Sequence, residues 1–238
     1  MAFAANAHAE AFSGPFVGVD IANDSTKKID SYTWHEGNGD FFEESENGYS
    51  INGVSGGVFA GYDAKVSEKV FAGVELRANI SSAKYKRHSH LVIDDSEIDR
   101  HSDVTVRAKQ SFSATARLGY MINDNTGIYV RGGLAQTRFK ARSTQGFPVA
   151  FDPVAEEYSY DTTARDKNIG AVFGAGLETK LSDALNVRVE YNVTDYGNAF
   201  VKLNQQMSSA ESLEYDDDTV FGTKMKTQQV RLGISYSF

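Results

Sequence analysis

Three histidines fall in one polar stretch, "KYKRHSHLVIDDSEIDRHSD", residues 84–103. His88-Ser89-His90 is a His-x-His pair, and on a strand such spacing presents two imidazoles on one side. Imidazole is a common ligand for metals and haem. His101, Asp94 and Asp95 lie in the same stretch as further candidate donors. Nothing in the sequence fixes their geometry, and a solvated loop is the plainer reading. Trp34 and His35 are equally open to either reading. The acidic run "EYDDD", Glu214 to Asp218, has the chemistry to attract Ca²⁺ but reads more simply as solvated charge. Nucleophilic catalysis needs a nucleophile and a base held together. All five histidines (His8, His35, His88, His90, His101) lie in loops or the leader. No catalytic residues, no metal and no cofactor are therefore assigned, and an enzyme is not expected.

A second set of charges is placed with more regularity. Asp20, Glu75, Arg77, Arg117, Arg131, Glu178, Arg188, Glu190 and Arg231 all occupy the polar side of segments that alternate in character. Strict alternation marks a β-strand with two different environments. The terminal "VRLGISYSF" shows it best. Val230, Leu232, Ile234, Tyr236 and Phe238 form one face, and Arg231, Gly233, Ser235 and Ser237 the other.

Similar segments recur along the chain. They are "PFVGVDIA" (residues 15–22), "GVSGGVFAGY" (53–62), "VFAGVELRANI" (70–80), "SFSATARLGYMI" (111–122), "IYVRGGLAQTRF" (128–139), "NIGAVFGAGLETK" (168–180), "LNVRVEYNVTDY" (185–196) and "KTQQVRLGISYSF" (226–238). With the last, these make eight strands, each near the roughly 9–11 residues a tilted strand needs to cross a bilayer. Three connections are short: 63–69, 123–127 and 182–184. Four are long and polar: 23–50, 81–110, 140–167 and 197–223. Such loops are uncommon in compact domains. Here they follow every odd-numbered strand, which puts all four at one end of an up-and-down barrel, away from both termini. Short periplasmic turns opposite long extracellular loops are the pattern of a transmembrane barrel.

Composition agrees. A net charge of −8 argues against a nucleic-acid partner, and the lack of cysteine rules out disulfides and thiolate chemistry. No apolar run approaches the roughly 18 residues of a spanning helix. A soluble lipocalin-like barrel would turn its apolar face inward around a ligand. Five arginines against four acids instead suit an enclosed polar face, where unpaired charge is costly. Matching heights pairs Glu75 with Arg117, Arg131 with Glu178, Glu178 with Arg188, and Arg231 with Asp20 and Glu190. Phe16, Tyr62, Tyr120, Tyr236 and Phe238 mark an aromatic girdle at the short-turn end, with Tyr191 and Tyr196 at the other. Ala7-His8-Ala9 followed by Glu10 has the form of a signal-peptidase site. Residues 1–9 are read as a signal-peptide remnant and 10–238 as the barrel domain.

Taken in order, "GPFVGVDIA", "FAGVELRA", "ATARLGY", "IYVRGGLA", "GAGLE", "VRVEYNVTDYG" and the closing "VRLGISYSF" resemble the eight-stranded outer-membrane β-barrel proteins of the opacity-protein and OmpA-like type. The resemblance covers residues 14–238 outside the loops. It implies an all-β, antiparallel up-and-down barrel in the bacterial outer membrane, in contact with its lipids. It also implies that the last strand, with Tyr236 and Phe238, is the signal read by the barrel-assembly machinery. The expected function is a small structural, surface-exposed protein with a filled polar lumen. The alternative is an adhesin or a haemin-type ligand-binding barrel acting through its loops on a host or extracellular partner. A diffusion porin is not expected, because a filled interior leaves no wide channel. The resemblance is to the barrel without the periplasmic domain of full OmpA, so peptidoglycan binding is not among the expectations.

Overall fold

A computed structural model describes residues 12–26, 29–34, 46–49, 51–93, 98–147, 158–206 and 216–238. The remnant assigned to residues 1–9 lies outside them.

Eight long strands form the wall: β1 (Gly14–Thr26), β4 (Asn52–Lys65), β5 (Val70–Ser81), β7 (Ile98–Asn123), β8 (Thr126–Phe147), β9 (Tyr158–Lys180), β10 (Leu185–Gln206) and β11 (Asp216–Ser237). Each pairs antiparallel with the next, and β11 pairs back onto β1 from Phe16↔Ser237 to Thr26↔Thr227. The eight-stranded wall closes on itself through the β1–β11 pairing, as a bilayer requires of a β-structure. The short connections β4–β5, β7–β8 and β9–β10 lie at the end that holds Phe12 and Phe238.

The strands run well beyond the segments that alternate. β7 has 26 residues, β9 23, and β8, β10 and β11 22 each, about twice what a bilayer crossing needs. Much of what the sequence reads as long loop is thus strand. The smaller strands β2 (Ile29–Trp34), β3 (Glu46–Tyr49) and β6 (Lys84–Ile93) extend the same end, β2 on β11 and β6 on β7. Beside a register shift at the β7–β8 turn, between Met121 and Asn123, two bulges interrupt the wall, between Ala108 and Ser111 and between Asp195 and Asn198. In the second, Gly197 takes φ +60°, a left-handed conformation that suits glycine, and its N–H donates to Asp195 Oδ1 at 2.9 Å.

The burial pattern is inverted relative to a water-soluble fold. Leu76 is 67% exposed and Phe173 63%, whereas Arg188 is 1% exposed and Glu75 2%. In the alternating segments of the eight wall strands the large aliphatic side chains, such as Val19, Val58, Leu76, Leu118, Val130, Leu134, Val189 and Leu232, face outward. A water-soluble chain rarely exposes so wide an apolar surface, but lipid solvates it, which is the arrangement of outer-membrane barrels. The exposed girdle holds Tyr62, Tyr120, Tyr236 and Phe238 at one end and Tyr191 towards the other. Two expected members turn inward. Phe16 is buried at 4%, and the Tyr196 hydroxyl bonds Thr137 at 2.6 Å. Both follow strand parity: Phe16 shares a face with Gly18 and Asp20, and Tyr196 with Asn192 and Thr194.

Glycines on the inner face seat the neighbouring rings. A Cβ on Gly18 would overlap the Phe59 ring, and one on Gly119 would overlap Phe71. The wall thus gains interior room where aromatics must fit.

The face assignment has a direct energetic test. Leu76→Arg places a charge in the middle of the apolar band and should cost about 2–4 kcal/mol in urea unfolding from lipid vesicles. Leu76→Gln should cost less. A negligible effect of the arginine would mean that this face is not in lipid.

Candidate functional site

The lumen is organised in tiers. At the short-turn end an apolar cluster of Phe12, Phe71, Met121 and Tyr129 closes the barrel, with Phe12 stacked on Phe71 at 5.0 Å. Next comes Arg117 from β7. Its Nε donates to Asp63 Oδ1 at 2.8 Å, its Nη2 to Asp63 Oδ2, and its Nη1 to Glu178 Oε2 at 2.9 Å. The same guanidinium lies over the rings of Phe16 and Tyr129, each 4.8 Å away. A planar cation suits this place, because its edge serves carboxylates while its face serves rings.

The middle tier turns on two glutamates. Glu190 Oε1 accepts from Tyr129 Oη at 2.7 Å and Arg131 Nη1 at 2.9 Å, and its Oε2 accepts from Arg77 Nη2 at 2.8 Å. Glu75 Oε2 accepts from Arg188 Nη1 at 2.7 Å, while its Oε1 faces Arg77 at 2.9 Å and Arg131 at 3.1 Å. Arg188 lies 3.4 Å from the centre of the Phe59 ring. In the outer tier Arg231 Nη1 donates to Asp20 Oδ1 at 2.7 Å and Asn79 Oδ1 at 3.0 Å. Asp24 accepts from Ser55, Ser81 and Gln229 at 2.8, 2.7 and 2.7 Å. A second apolar cluster of Ile51, Ala83, Phe139 and Met225 covers this tier, with Tyr196 packed against it.

All nine charged residues expected in the lumen are buried there, but their partners differ from those read by height. Arg117 takes Asp63 and Glu178 rather than Glu75. Arg131 takes Glu190 and Glu75 rather than Glu178. Arg188 is the register partner of Glu178 but pairs with Glu75 across the lumen. Arg231 pairs with Asp20 and makes no ion pair with Glu190 among the described residues. The physical reason is reach. Arginine is long enough to cross a narrow barrel, so side chains meet across the lumen as well as between adjacent strands.

Sequence reasoning missed Asp63, Asp24 and Tyr129. Asp63 was assigned to a connection, although Phe59, Gly61 and Asp63 continue the inward parity of β4. With Asp63, five arginines meet five paired carboxylates: Asp20, Asp63, Glu75, Glu178 and Glu190. Among the described residues, the polar tiers hold a cavity of only about 30 Å³, lined by Arg77, Asn79, Arg131, Asn192 and Arg231 among others. That is room for about one water.

The candidate loop ligands lie elsewhere. His88 and His90 stand on β6 and His101 on β7. Trp34 ends β2. Asp216 to Asp218 begin β11, opposite 204–206. His35, Asp94, Asp95, Glu214 and Tyr215 lie outside the described residues.

A closed antiparallel barrel with an apolar exterior and a charged, filled interior is a membrane-spanning barrel of the outer-membrane type. Residues 1–238 match the family described as the outer membrane protein beta-barrel domain, and the chain belongs to that family. It is 30% identical over 184 residues to the 25 kDa outer-membrane immunogenic protein of Brucella abortus biovar 1 (strain 9-941), across 76% of this chain and 64% of that protein. The chain thus spans less than two thirds of that relative's length. An uncharacterized protein of Coxiella burnetii is 26% identical over 148 residues, 61% of this chain and 56% of that protein. Among solved structures, the outer membrane protein OprG from Pseudomonas aeruginosa superposes with a TM-score of 0.53 at 13% identity, covering 96% of this chain and 97% of that one. That likeness concerns the fold. The protein is an outer-membrane barrel.

The network predicts strong coupling. Glu75→Ala or Arg188→Ala alone strands a buried charge and should cost about 3–5 kcal/mol in urea unfolding from lipid. The double variant should cost clearly less than the sum, because neither charge is then left unpaired. Small, additive effects would place both side chains in bulk water.

Proposed function

We propose that the protein is a sealed, surface-displaying barrel, in which the membrane part anchors and the strand-extended end does the work. The observation that carries this reading is the contrast between the two parts. Among the described residues the lumen is filled tier by tier, and the cavity among the polar tiers measures about 30 Å³. The wall, by contrast, continues past the membrane for a length comparable to the crossing itself. A diffusion pore would show the reverse. Each of the five buried arginines is ion-paired with a buried carboxylate, which supports a packing role for them rather than catalysis. The name of the Brucella relative, an immunogenic outer-membrane protein, fits display at the cell surface.

The finer reading is that the extended hairpins act on an extracellular partner, as an adhesive or ligand-binding surface. Paired strands hold side chains in fixed register, which free loops do not, and this favours recognition. The last strand supports a role in assembly. Tyr236 and Phe238 stay exposed, their rings in edge contact at 5.1 Å, and the Phe238 N–H donates to Pro15 O at 3.1 Å. We assign this end as the contact for the barrel-assembly machinery, with outer-membrane lipids as the partner of the apolar wall.

One experiment tests sidedness and assembly together. The chain has no cysteine, so a single introduced thiol is unambiguous. On intact cells, Lys86→Cys should react with a membrane-impermeant maleimide, and Asp183→Cys, in the β9–β10 turn, should react only after the outer membrane is opened. Deleting Phe238 should reduce Lys86→Cys labelling several-fold at unchanged synthesis. Labelling of Asp183→Cys alone on intact cells would invert the orientation. Undiminished labelling without Phe238 would remove its assembly role.

A further inference from the structure

The chain is acidic overall, at a net charge of −8, yet one flank of its wall is basic. Lys84 on β6 stands opposite Arg107 on β7, and Arg107 stands opposite Lys140 on β8. One row of the sheet thus sets three cations side by side on three strands. A second row sets Arg138 on β8 opposite Lys167 on β9. Lys109 sits in the β7 bulge beside them. Directly opposed residues have Cα atoms about 4.5–5.5 Å apart, and like charges so placed are destabilising.

The cations are on the outer face. Ala83 and Phe139, the chain neighbours of Lys84 and Lys140, are buried in the apolar cluster at the outer end of the lumen. Val106 and Ala108, on either side of Arg107, pack against the same cluster. Lys84, Arg107, Lys109, Arg138 and Lys167 are exposed, and Lys140 is half-buried. Among the described residues, Lys84, Arg107, Lys109 and Lys140 make no ion pair. Arg138 Nη1 donates to an amide oxygen, Gln110 Oε1, at 3.4 Å. On the other half of the wall an exposed lysine is neutralised instead: Lys226 Nζ lies 3.0 Å from Asp195 Oδ2.

Repulsion repeated along a row calls for a counter-anion, and height identifies which. Phe112, Gln136 and Ile169 share one row, and both apolar members are exposed. Arg138 and Lys167 stand two residues beyond it and Lys140 four, or about 7 and 13 Å along the strands. Tilt of about 45° turns that into roughly 5 and 9 Å of height. The polar layer on each side of the hydrocarbon core is about 5–8 Å deep. The cations therefore stand at the level of lipid headgroups, directly above the apolar band.

We propose that this flank binds the phosphates of a phosphorylated lipid at the adjoining membrane surface, with the lipid's acyl chains on Phe112, Leu134 and Ile169 below. Arg107 and Arg138 offer planar forks that grip a phosphate through two bonds, and the lysines offer point charges beside them. A soluble polyanion would meet the same charges but leave the apolar row beneath them unused. Only which leaflet supplies the lipid rests on the orientation proposed above.

The test uses the full chain, folded in an uncharged detergent and checked by its heat-dependent gel mobility. Native mass spectrometry counts the lipid bound. The probe is lipid A, a bisphosphorylated acyl disaccharide, compared with its dephosphorylated form. The parent should retain the first and shed the second. The triple variant Lys84→Gln, Arg107→Gln, Lys140→Gln should weaken retention roughly 100-fold, about fivefold for each cation removed from an anionic lipid surface. Arg107→Gln alone should show about a fivefold loss. A charge-matched triple variant elsewhere, Lys65→Gln, Lys69→Gln, Lys226→Gln, should bind as the parent does. Equal retention of the two lipid forms would overturn the proposal. So would equal losses in the two triple variants while gel mobility shows folded barrels. Heparin binding that the first triple variant loses, with lipid retention unchanged, would also overturn it by assigning the cations to a soluble partner.

Discussion

An eight-stranded barrel is just wide enough to be filled by side chains, and what fills this one is charge. Five guanidiniums stand where water has almost no room, so each must meet carboxylates, hydroxyls, amides or aromatic faces. The rest of the structure follows from that requirement. The glutamates at 75 and 190 sit at mid-height because each serves three arginines there. Phe59 and Phe16 turn inward because a guanidinium needs a ring against its face. Glycines line the inner wall because those rings and long side chains need its space. Apolar clusters close both ends, so the charges stay dry.

The same requirement divides the labour between the two parts of the chain. A core built of mutual ion pairs is a weak source of net stability, since desolvation consumes much of the Coulombic gain. Its gain is in specificity, as we read it, because a shifted register would strand several charges at once. A wall fixed in this way can carry long extensions without itself being a channel. On the proposed function, the work lies outward, on strands that continue past the apolar band and on hairpins such as β6–β7.

Much of this was legible in the sequence. Parity alone separates Val17, Val19 and Ile21 from Gly18 and Asp20, and it places all nine network residues inside. Partner choice was not legible, because height along a strand says nothing about the direction in which a long side chain leans. Arg188 shows this, with Glu178 beside it in register and Glu75 as its partner across the lumen. Phe16 and Tyr196 were misassigned for a different reason. Aromatic type near a strand end was allowed to outweigh parity, which places both inside. The outer strands were taken for loops because they are polar on both faces and offer no apolar stripe to read. Even so, Val104, Val106 and Ala108 hold an alternation that marks the outer part of β7. For His90 and His101 the sequence offered spacing but not register, and the pairing of β6 with β7 sets the two opposite one another.

The central claim is that the lumen is a packed core and not a passage. Conductance across a planar lipid bilayer tests it most directly, with the purified, folded full chain inserted at single-molecule density. The account predicts no steady current at moderate voltage. A stable, ohmic open state from the unaltered protein would contradict it, since ions could cross only if the tiers from Arg117 to Arg231 stood in water.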